Sequence, residues 1–413
     1  MFSLRPNQQH PNNRVSIIGG SIAGLFAANL LHRSGWDVQV YERSAQDLDG
    51  RGAGIVTHPE LIEALKVAGV TLDSRFGIHV QKRVTIARDG SILGTRDVAQ
   101  RLTSWSHVYR LLRDAFPTER YHYNKRLTQV TQDQASVRAL FADGSQVNAD
   151  LLVGADGLRS PIRQSLAPAV SPQYAGYVAW RGMVDAGRLS KRVLSDIFPY
   201  FAFDLPPNEQ MLAYPVAGVT NSARRSYNFV WYRPADQAST LADMLRDDHG
   251  KIWPEGIPPP LIRESVILAA RKAAQDVLSP QFAEVVERTE HLFFQPIFDL
   301  QSQQIAFDRV ALIGDAAFVA RPHCGMGVTK AAGDAIAITR FLNSTLTIQQ
   351  ALLNYEAERL TIGSSIVDHG RALGAYMQAQ ISTAEEKLRA ERYRTPEAVM
   401  RETALPPALS IKP

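Results

Sequence analysis

Two short segments about 300 residues apart carry residue types suited to holding a nucleotide: Gly19-Gly20-Ser21-Ile22-Ala23-Gly24 and Gly314-Asp315-Ala316-Ala317. A glycine turn opening a helix brings unpaired N–H groups and the positive end of the helix dipole up to a pyrophosphate. Glu42 follows at the distance where a dinucleotide fold places the carboxylate that accepts a ribose hydroxyl, with Arg43 beside it. Ser21 replaces the middle glycine of G-x-G-x-x-G and is small enough for close approach. A third acidic pair, Asp156-Gly157, precedes Ser160 and Arg163. Beyond the second segment, Arg321-Pro322-His323-Cys324-Gly325-Met326-Gly327-Val328 leads into an alanine-rich stretch.

Each of these pieces needs a strand to deliver it. Val15-Ser16-Ile17-Ile18 is an apolar run suited to a buried parallel strand, and Leu25 to Leu31 suits a helix packed on a sheet. Val38 to Tyr41 reads as the next strand, and Phe307 to Ile313 as another. Helices are expected over Pro59 to Val67, Trp105 to Phe116, Thr329 to Leu342 and Ile348 to about Met377, and a charged one over Ala384 to Arg394. Asp89-Gly90 and Asp143-Gly144 mark hairpin turns. Residues 172–300 are dominated by aromatic and β-branched runs such as Met211 to Val216 and Tyr227 to Tyr232, the pattern of a mostly antiparallel sheet. The fold class expected is α/β, a Rossmann-like dinucleotide unit with an inserted antiparallel sheet and a helical C-terminal segment. The expected domains are 14–171 with 301–345, then 172–300, then 346–395. Met1 to Asn13 and Thr395 to Pro413 read as tails.

Bulk properties narrow the function. With 45 basic and 41 acidic residues the net charge is only +4, and no Lys/Arg block tracks a phosphate backbone, so nucleic acid is not an expected partner. One cysteine, Cys324, excludes an internal disulfide and fits a reducing cytoplasm. Its side chain is either packed near the ligand or a reactive thiol, and packing is the preferred reading. No secretory leader and no apolar run of about 18 residues is visible, so no membrane span is expected. The scattered histidines form no ligand-spaced metal cluster.

At its three nucleotide motifs the chain resembles the class A FAD-dependent aromatic hydroxylases, the para-hydroxybenzoate hydroxylase family, over roughly residues 14–375. Tyr41-Glu42-Arg43-Ser44, Gly54-Ile55-Val56, Tyr174-Ala175-Gly176-Tyr177, Trp180-Arg181-Gly182 and Arg321-Pro322-His323 with Lys330-Ala331 are most similar to the pyridine-hydroxylating branch. Two positions depart from the wider family: Phe318 stands near its usual histidine, and Thr329-Lys330 replaces its usual asparagine.

The resemblance implies that the first motif holds the ADP half of FAD, that Asp156 supports the pyrophosphate region, that Asp315 contacts the ribityl chain, and that the amides of Gly325 to Val328 face the flavin pyrimidine. It further implies an NADH- or NADPH-driven, O2-dependent hydroxylation through a flavin hydroperoxide, with NADH weakly preferred. The substrate implied is a hydroxylated pyridine of the 2,6-dihydroxypyridine type or a related small aromatic ring; a larger polycyclic or polyketide ring is the alternative. A homodimer is implied as well.

Within that chemistry Pro322 is expected at the flavin edge, its carbonyl accepting a hydrogen bond, or else as a simple turn residue. His323 is either a base for a ring hydroxyl or a loop histidine bonded to backbone. Tyr214 and Arg181 are candidate substrate contacts, although Arg181 could equally form a structural ion pair. Arg51 is a candidate cofactor contact or a solvated surface charge. A nicotinamide-dependent dehydrogenase would leave Gly314-Asp315 and Asp156-Gly157 unexplained, and a flavin-binding sensor would need an output module that is not seen.

Overall fold

A computed structural model of the chain describes residues 13–49, 54–73, 76–217, 225–344, 346–381 and 383–407. Arg51, most of its glycine-rich loop and the first 12 residues lie outside them.

The nucleotide motifs are delivered by one six-stranded sheet in the order Ala306–Phe307, Val310–Leu312, Leu151–Gly154, Arg14–Ile18, Asp37–Tyr41, Tyr121–His122. Its neighbours pair in parallel except for the terminal hairpin. Leu151, Leu152, Val153, Ile17 and Val38 are fully buried, as expected of strands covered on both faces. The helices Ile22–Arg33 and Gly327–Leu342 pack on each other within the same apolar core. Both helices bury small residues, Ala27 and Ala28 on the first and Ala332 and Ala335 on the second, which suits a close approach. Phe307 to Ile313 is broken rather than continuous: Asp308 takes a left-handed turn with φ +52° and reverses the chain into the hairpin.

A nine-stranded, mostly antiparallel sheet forms the second layer, running Phe318–Val319, Phe293–Gln301, Gln173–Asp185, Arg225–Pro234, Gln210–Ala217, Phe201–Asp204, Ile78–Ile86, Ile92–Ser104, Gly54–Thr57. Three of these strands come from residues 54–104, a stretch expected to lie wholly in the nucleotide unit. They join this sheet because Phe201–Asp204 pairs in parallel with Ile78–Ile86. One face packs Trp180, Trp231, Phe229 and Phe294 against the helices Glu264–Val277 and Pro280–Arg288. The other face carries Tyr177, Ala179, Leu212, Tyr214, Val230 and Tyr232.

The helix Ile348–Gly374 closes the core, and Ala384–Tyr393 follows it. The expected tail is a helix at its start. Pro396–Glu402 carries proline in its first turn, where no N–H is needed, and Thr395 Oγ1 accepts from Ala398 N at 3.2 Å. No helix of the described residues is long and apolar enough to cross a membrane.

Candidate active site

Four adjacent parallel strands end side by side, and each releases one motif. Reading across the sheet, Leu312 leads to Gly314-Asp315, Gly154 to Asp156-Gly157, Ile18 to Gly19-Gly20, and Tyr41 to Glu42. Ligands of open α/β sheets bind beyond such carboxyl ends. At Gly19 the backbone turns with φ +104°, and a β-carbon there would lie 2.3 Å from the Ala155 carbonyl oxygen. Gly24 approaches still closer: its β-carbon would stand 1.9 Å from Gly19 O. Ile22, Ala23 and Gly24 therefore form a helix start packed onto its own turn, and Ala23 also seats the Gly314 loop, whose β-carbon would meet it at 2.6 Å. Gly20 backs onto Tyr121, which donates to Gly20 O at 3.0 Å.

Glu42 is buried, with its carboxylate held by Gly20 N and Ser44 N, each at 2.8 Å. Each oxygen keeps a lone pair for a ribose hydroxyl. Asp156 Oδ2 accepts from Ile162 N at 3.3 Å, while its buried Oδ1 has no hydrogen-bond partner among the described residues. Burial pushes this carboxyl up to about 6. Arg163, fully buried, ties two of the loops by donating to Ala316 O at 2.8 Å and Leu158 O at 2.5 Å. Gly19, Ser21, Glu42, Arg43 and Asp156 line a cavity of about 450 Å³ with Trp105, Lys125 and Arg159. Arg159 lies inside the Asp156 to Arg163 segment and Trp105 at the start of an expected helix, whereas Lys125 belongs to no motif and only its place in the fold reveals it.

A second cavity, of about 240 Å³, lies between Gly314-Asp315 and the antiparallel sheet. Asp315, Pro322, His323, Gly325, Gly327 and Val328 border it from one side, and Arg181, Tyr214 and Tyr232 from the other. Register explains the second set. Arg181 pairs with Val230 and Val230 with Leu212, while Ala179 pairs with Tyr232, so these residues share one face. Trp180 and Trp231 are paired on the opposite face, in the core. Below Asp315 sits a buried ionic group. Lys330 Nζ donates to Gly314 O at 2.7 Å, Asp334 accepts from Gly314 N at 2.9 Å, and Arg359 Nε donates to Asp334 at 2.7 Å. At Gly157 and Gly327 a β-carbon would meet nothing within 4 Å, so the backbone at both places borders open space. An elongated dinucleotide whose planar end reaches the second cavity fits this row.

Known proteins agree with that fit. Residues 174–299 match an FAD binding domain-like family and residues 294–370 an FAD binding domain. The chain is 31% identical over 366 residues to 2,6-dihydroxypyridine 3-monooxygenase of Paenarthrobacter nicotinovorans, covering 89% of this chain and 92% of that protein. It is 28% identical over 347 residues to 6-hydroxynicotinate 3-monooxygenase of Bordetella bronchiseptica, covering 80% and 83%. The solved 2,6-dihydroxypyridine-3-hydroxylase from Arthrobacter nicotinovorans superposes with a TM-score of 0.84 at 31% identity, over 90% of this chain and 94% of that one. The chain belongs to the FAD-dependent aromatic hydroxylases.

Against the hydroxylase pattern, Asp315 keeps its side chain accessible to the cavity, and its protein surroundings raise its carboxyl pKa by desolvation, with Lys330 opposing. Pro322 does border the second cavity, but its carbonyl already accepts Gly325 N at 2.9 Å, which leaves one lone pair. His323 is buried and engaged at both ring nitrogens: Tyr177 Oη lies 2.8 Å from Nε2 and Gln210 Oε1 lies 3.2 Å from Nδ1. These partners assign the proton to Nδ1, so Tyr177 donates to Nε2. Burial, then Arg321 and Arg181, hold the ring pKa well below its ordinary value. That geometry leaves no nitrogen for a substrate hydroxyl, and of the two expected roles it favours the histidine held within the protein, its partners being side chains rather than backbone. Its ring stands 4.2 Å from that of Tyr232.

Met326 lines neither cavity; it packs in a small apolar cluster with Cys324, Ile366 and Leu373. Cys324 is a packed thiol, pushed up to about 11 by burial. The two departures from the family have structural uses. Phe318 fills the space above Gly363, and Thr329 Oγ1 lies 3.0 Å from His58 Nδ1.

Proposed function

We propose that this hydroxylase adds one oxygen of O2 to a hydroxylated pyridine of the 2,6-dihydroxypyridine type, or to a related small ring bearing an ionisable hydroxyl. Arg181 carries the reading. No carboxylate pairs with it among the described residues, its buried Nε has no partner, and it faces an aromatic slot. Removing a charge from water is costly unless a partner compensates it, so such a guanidinium fits an anionic ring oxygen.

Bound FAD supplies the redox chemistry, taking hydride from NADH or NADPH and delivering oxygen with O2. The Gly19–Gly24 turn, Glu42 and Asp156 hold its nucleotide half, with Asp315 and the Gly325–Val328 backbone nearer the ring. Arg181 favours the deprotonated form of the substrate hydroxyl, which enriches the ring carbon to be attacked. Tyr232, its hydroxyl pushed up to about 12 by burial, stays protonated as a donor, and burial raises Tyr214 in the same direction. Leu212, Val230 and Phe201 exclude water. The cavity of about 240 Å³ must take the planar end of the cofactor as well as the substrate, which favours a single ring over a polycyclic one. The homodimer, the cytoplasmic setting and the preference for NADH belong to the same proposal.

The test is to purify the yellow protein and follow NADH oxidation and O2 uptake with and without 2,6-dihydroxypyridine. Sharp stimulation with a hydroxylated product is expected. A yellow protein indifferent to hydroxypyridines would move the substrate to another ring class.

A further inference from the structure

Arg83 has no part in the nucleotide motifs, yet it is completely buried in the strand Ile78–Ile86. Its Nε and Nη2 donate to Gln100 Oε1 at 3.0 and 2.7 Å, and its Nη1 donates to Met400 O at 2.8 Å and Thr403 O at 2.7 Å. Among the described residues no carboxylate neutralises it. Carbonyl dipoles and the Phe201 ring, 5.2 Å from its guanidinium carbon, compensate it instead, two of the carbonyls at the end of the helix Pro396–Glu402, where the helix dipole is negative. Desolvation brings its pKa to about 10, so it remains a cation at neutral pH. A buried charge without a counter-ion is expensive and stabilises little by itself; what it does confer is a defined position on the groups it holds.

The groups held here form part of the slot. After Thr403 the chain turns through Ala404, at φ +56°, and both residues line the second cavity. Ala404 N donates to His323 O at 2.7 Å, and Gln100 Nε2 donates to Ala404 O at 3.2 Å. Gly325 lies against Ala404, where an added β-carbon would come within 3.3 Å. One turn is therefore fastened to the antiparallel sheet through Arg83 and Gln100 and to the Pro322-His323 loop through Ala404.

We propose that Arg83 is a positioning residue that seats the Thr403-Ala404 turn as a wall of the aromatic slot and thereby keeps water from the reacting ring. The inference rests on the proposed hydroxylation. With the wall in place, one oxygen of O2 enters a ring C–H bond, which itself gives up two electrons and becomes C–OH, and the other leaves as water with the two electrons of NADH. With the wall displaced, the same electrons and two protons convert O2 to hydrogen peroxide, and NAD+ forms without product.

Arg83→Met in the full chain is the test, with hydrogen exchange at 396–404, iodide quenching of flavin fluorescence, and peroxide formed per NADH consumed. The expected result is at least tenfold faster exchange at Ala404, greater quenching, and a severalfold larger peroxide fraction, with KM raised more than kcat and FAD affinity kept. Arg83→Lys should recover little, because an ammonium cannot span Gln100 and two carbonyls. Unchanged exchange, or faster exchange with unchanged peroxide, would overturn the proposal. If Arg83→Met does not fold, Gln100→Leu decides by the same readings, since it removes the acceptor of two Arg83 bonds and the donor to Ala404. Should no aromatic compound stimulate NADH oxidation, the proposed function fails, while exchange and quenching still report on the wall.

Discussion

The nucleotide groove and the aromatic slot are neighbours built on opposite plans. The groove takes its parts from four adjacent strand ends, each followed at once by its motif, so chain order and spatial order nearly coincide. The slot draws on Arg181, Tyr214, Tyr232, Pro322 and Thr403, which only sheet register and a C-terminal turn bring together. Backbone shape governs the first region and side-chain choice the second. Substitutions should therefore abolish the groove outright but only retune the slot.

The largest effect that would break this contrast concerns Gly24. A Gly24→Val chain has no room for its β-carbon against Gly19 O and is expected to purify without FAD, seen as loss of the visible flavin absorbance. Retention of a yellow colour would show that the turn yields more than its contacts allow. Next comes Lys330→Met, which strips one of the two cations from a buried ionic group and leaves Gly314 O without its donor. A loss of about 2–3 kcal/mol is expected by chemical denaturation, since Arg359 still pairs Asp334. Arg181→Met addresses the slot alone. About 1.5–3 kcal/mol of substrate affinity should vanish, a rise of roughly 10–100-fold in KM, with flavin content unchanged. An unaltered KM would remove Arg181 from substrate recognition.

Asp156 gives a pH test of the groove. Its folded pKa, about 6, lies above the ordinary carboxylate value, so its contribution to stability is full below about pH 4 and is lost as pH rises through about 6. Asp156→Asn should flatten the pH dependence of apoprotein unfolding across that window by on the order of 1–2 kcal/mol. Asp204, also near 6, leaves a residual slope. The smallest effect is at Cys324. Its raised pKa and burial predict that thiol reagents leave activity intact, and Cys324→Ala should cost about 1 kcal/mol or less.

The same contrast explains which features were legible in the sequence. Strand, turn, helix and acid at residues 14–42 announce themselves through local periodicity, and so does the helix Pro59–Val67, whose proline marks its first turn. Parity could not say whether Tyr214, Trp231 or Tyr232 faces the ring. That depends on pairing with distant strands and on the irregularity between Tyr174 and Val178. The helix Pro396–Glu402 is hidden because its one proline, with those that follow at 406, 407 and 413, resembles a tail, although Thr395 and Pro396 form an ordinary helix start. His323 has the residue type of a base. Only the positions of Tyr177 and Gln210 reveal that both nitrogens are spoken for.

Alternation along Gln173–Asp185 and Arg225–Pro234 has a further consequence. Trp180 and Trp231 anchor the structural core while their immediate neighbours, Arg181 and Tyr232, line the slot. Every second position can thus drift under selection for a new ring without disturbing the packing behind it. The sheet separates what must be inherited from what is free to diversify, and new substrate preferences can evolve there one residue at a time.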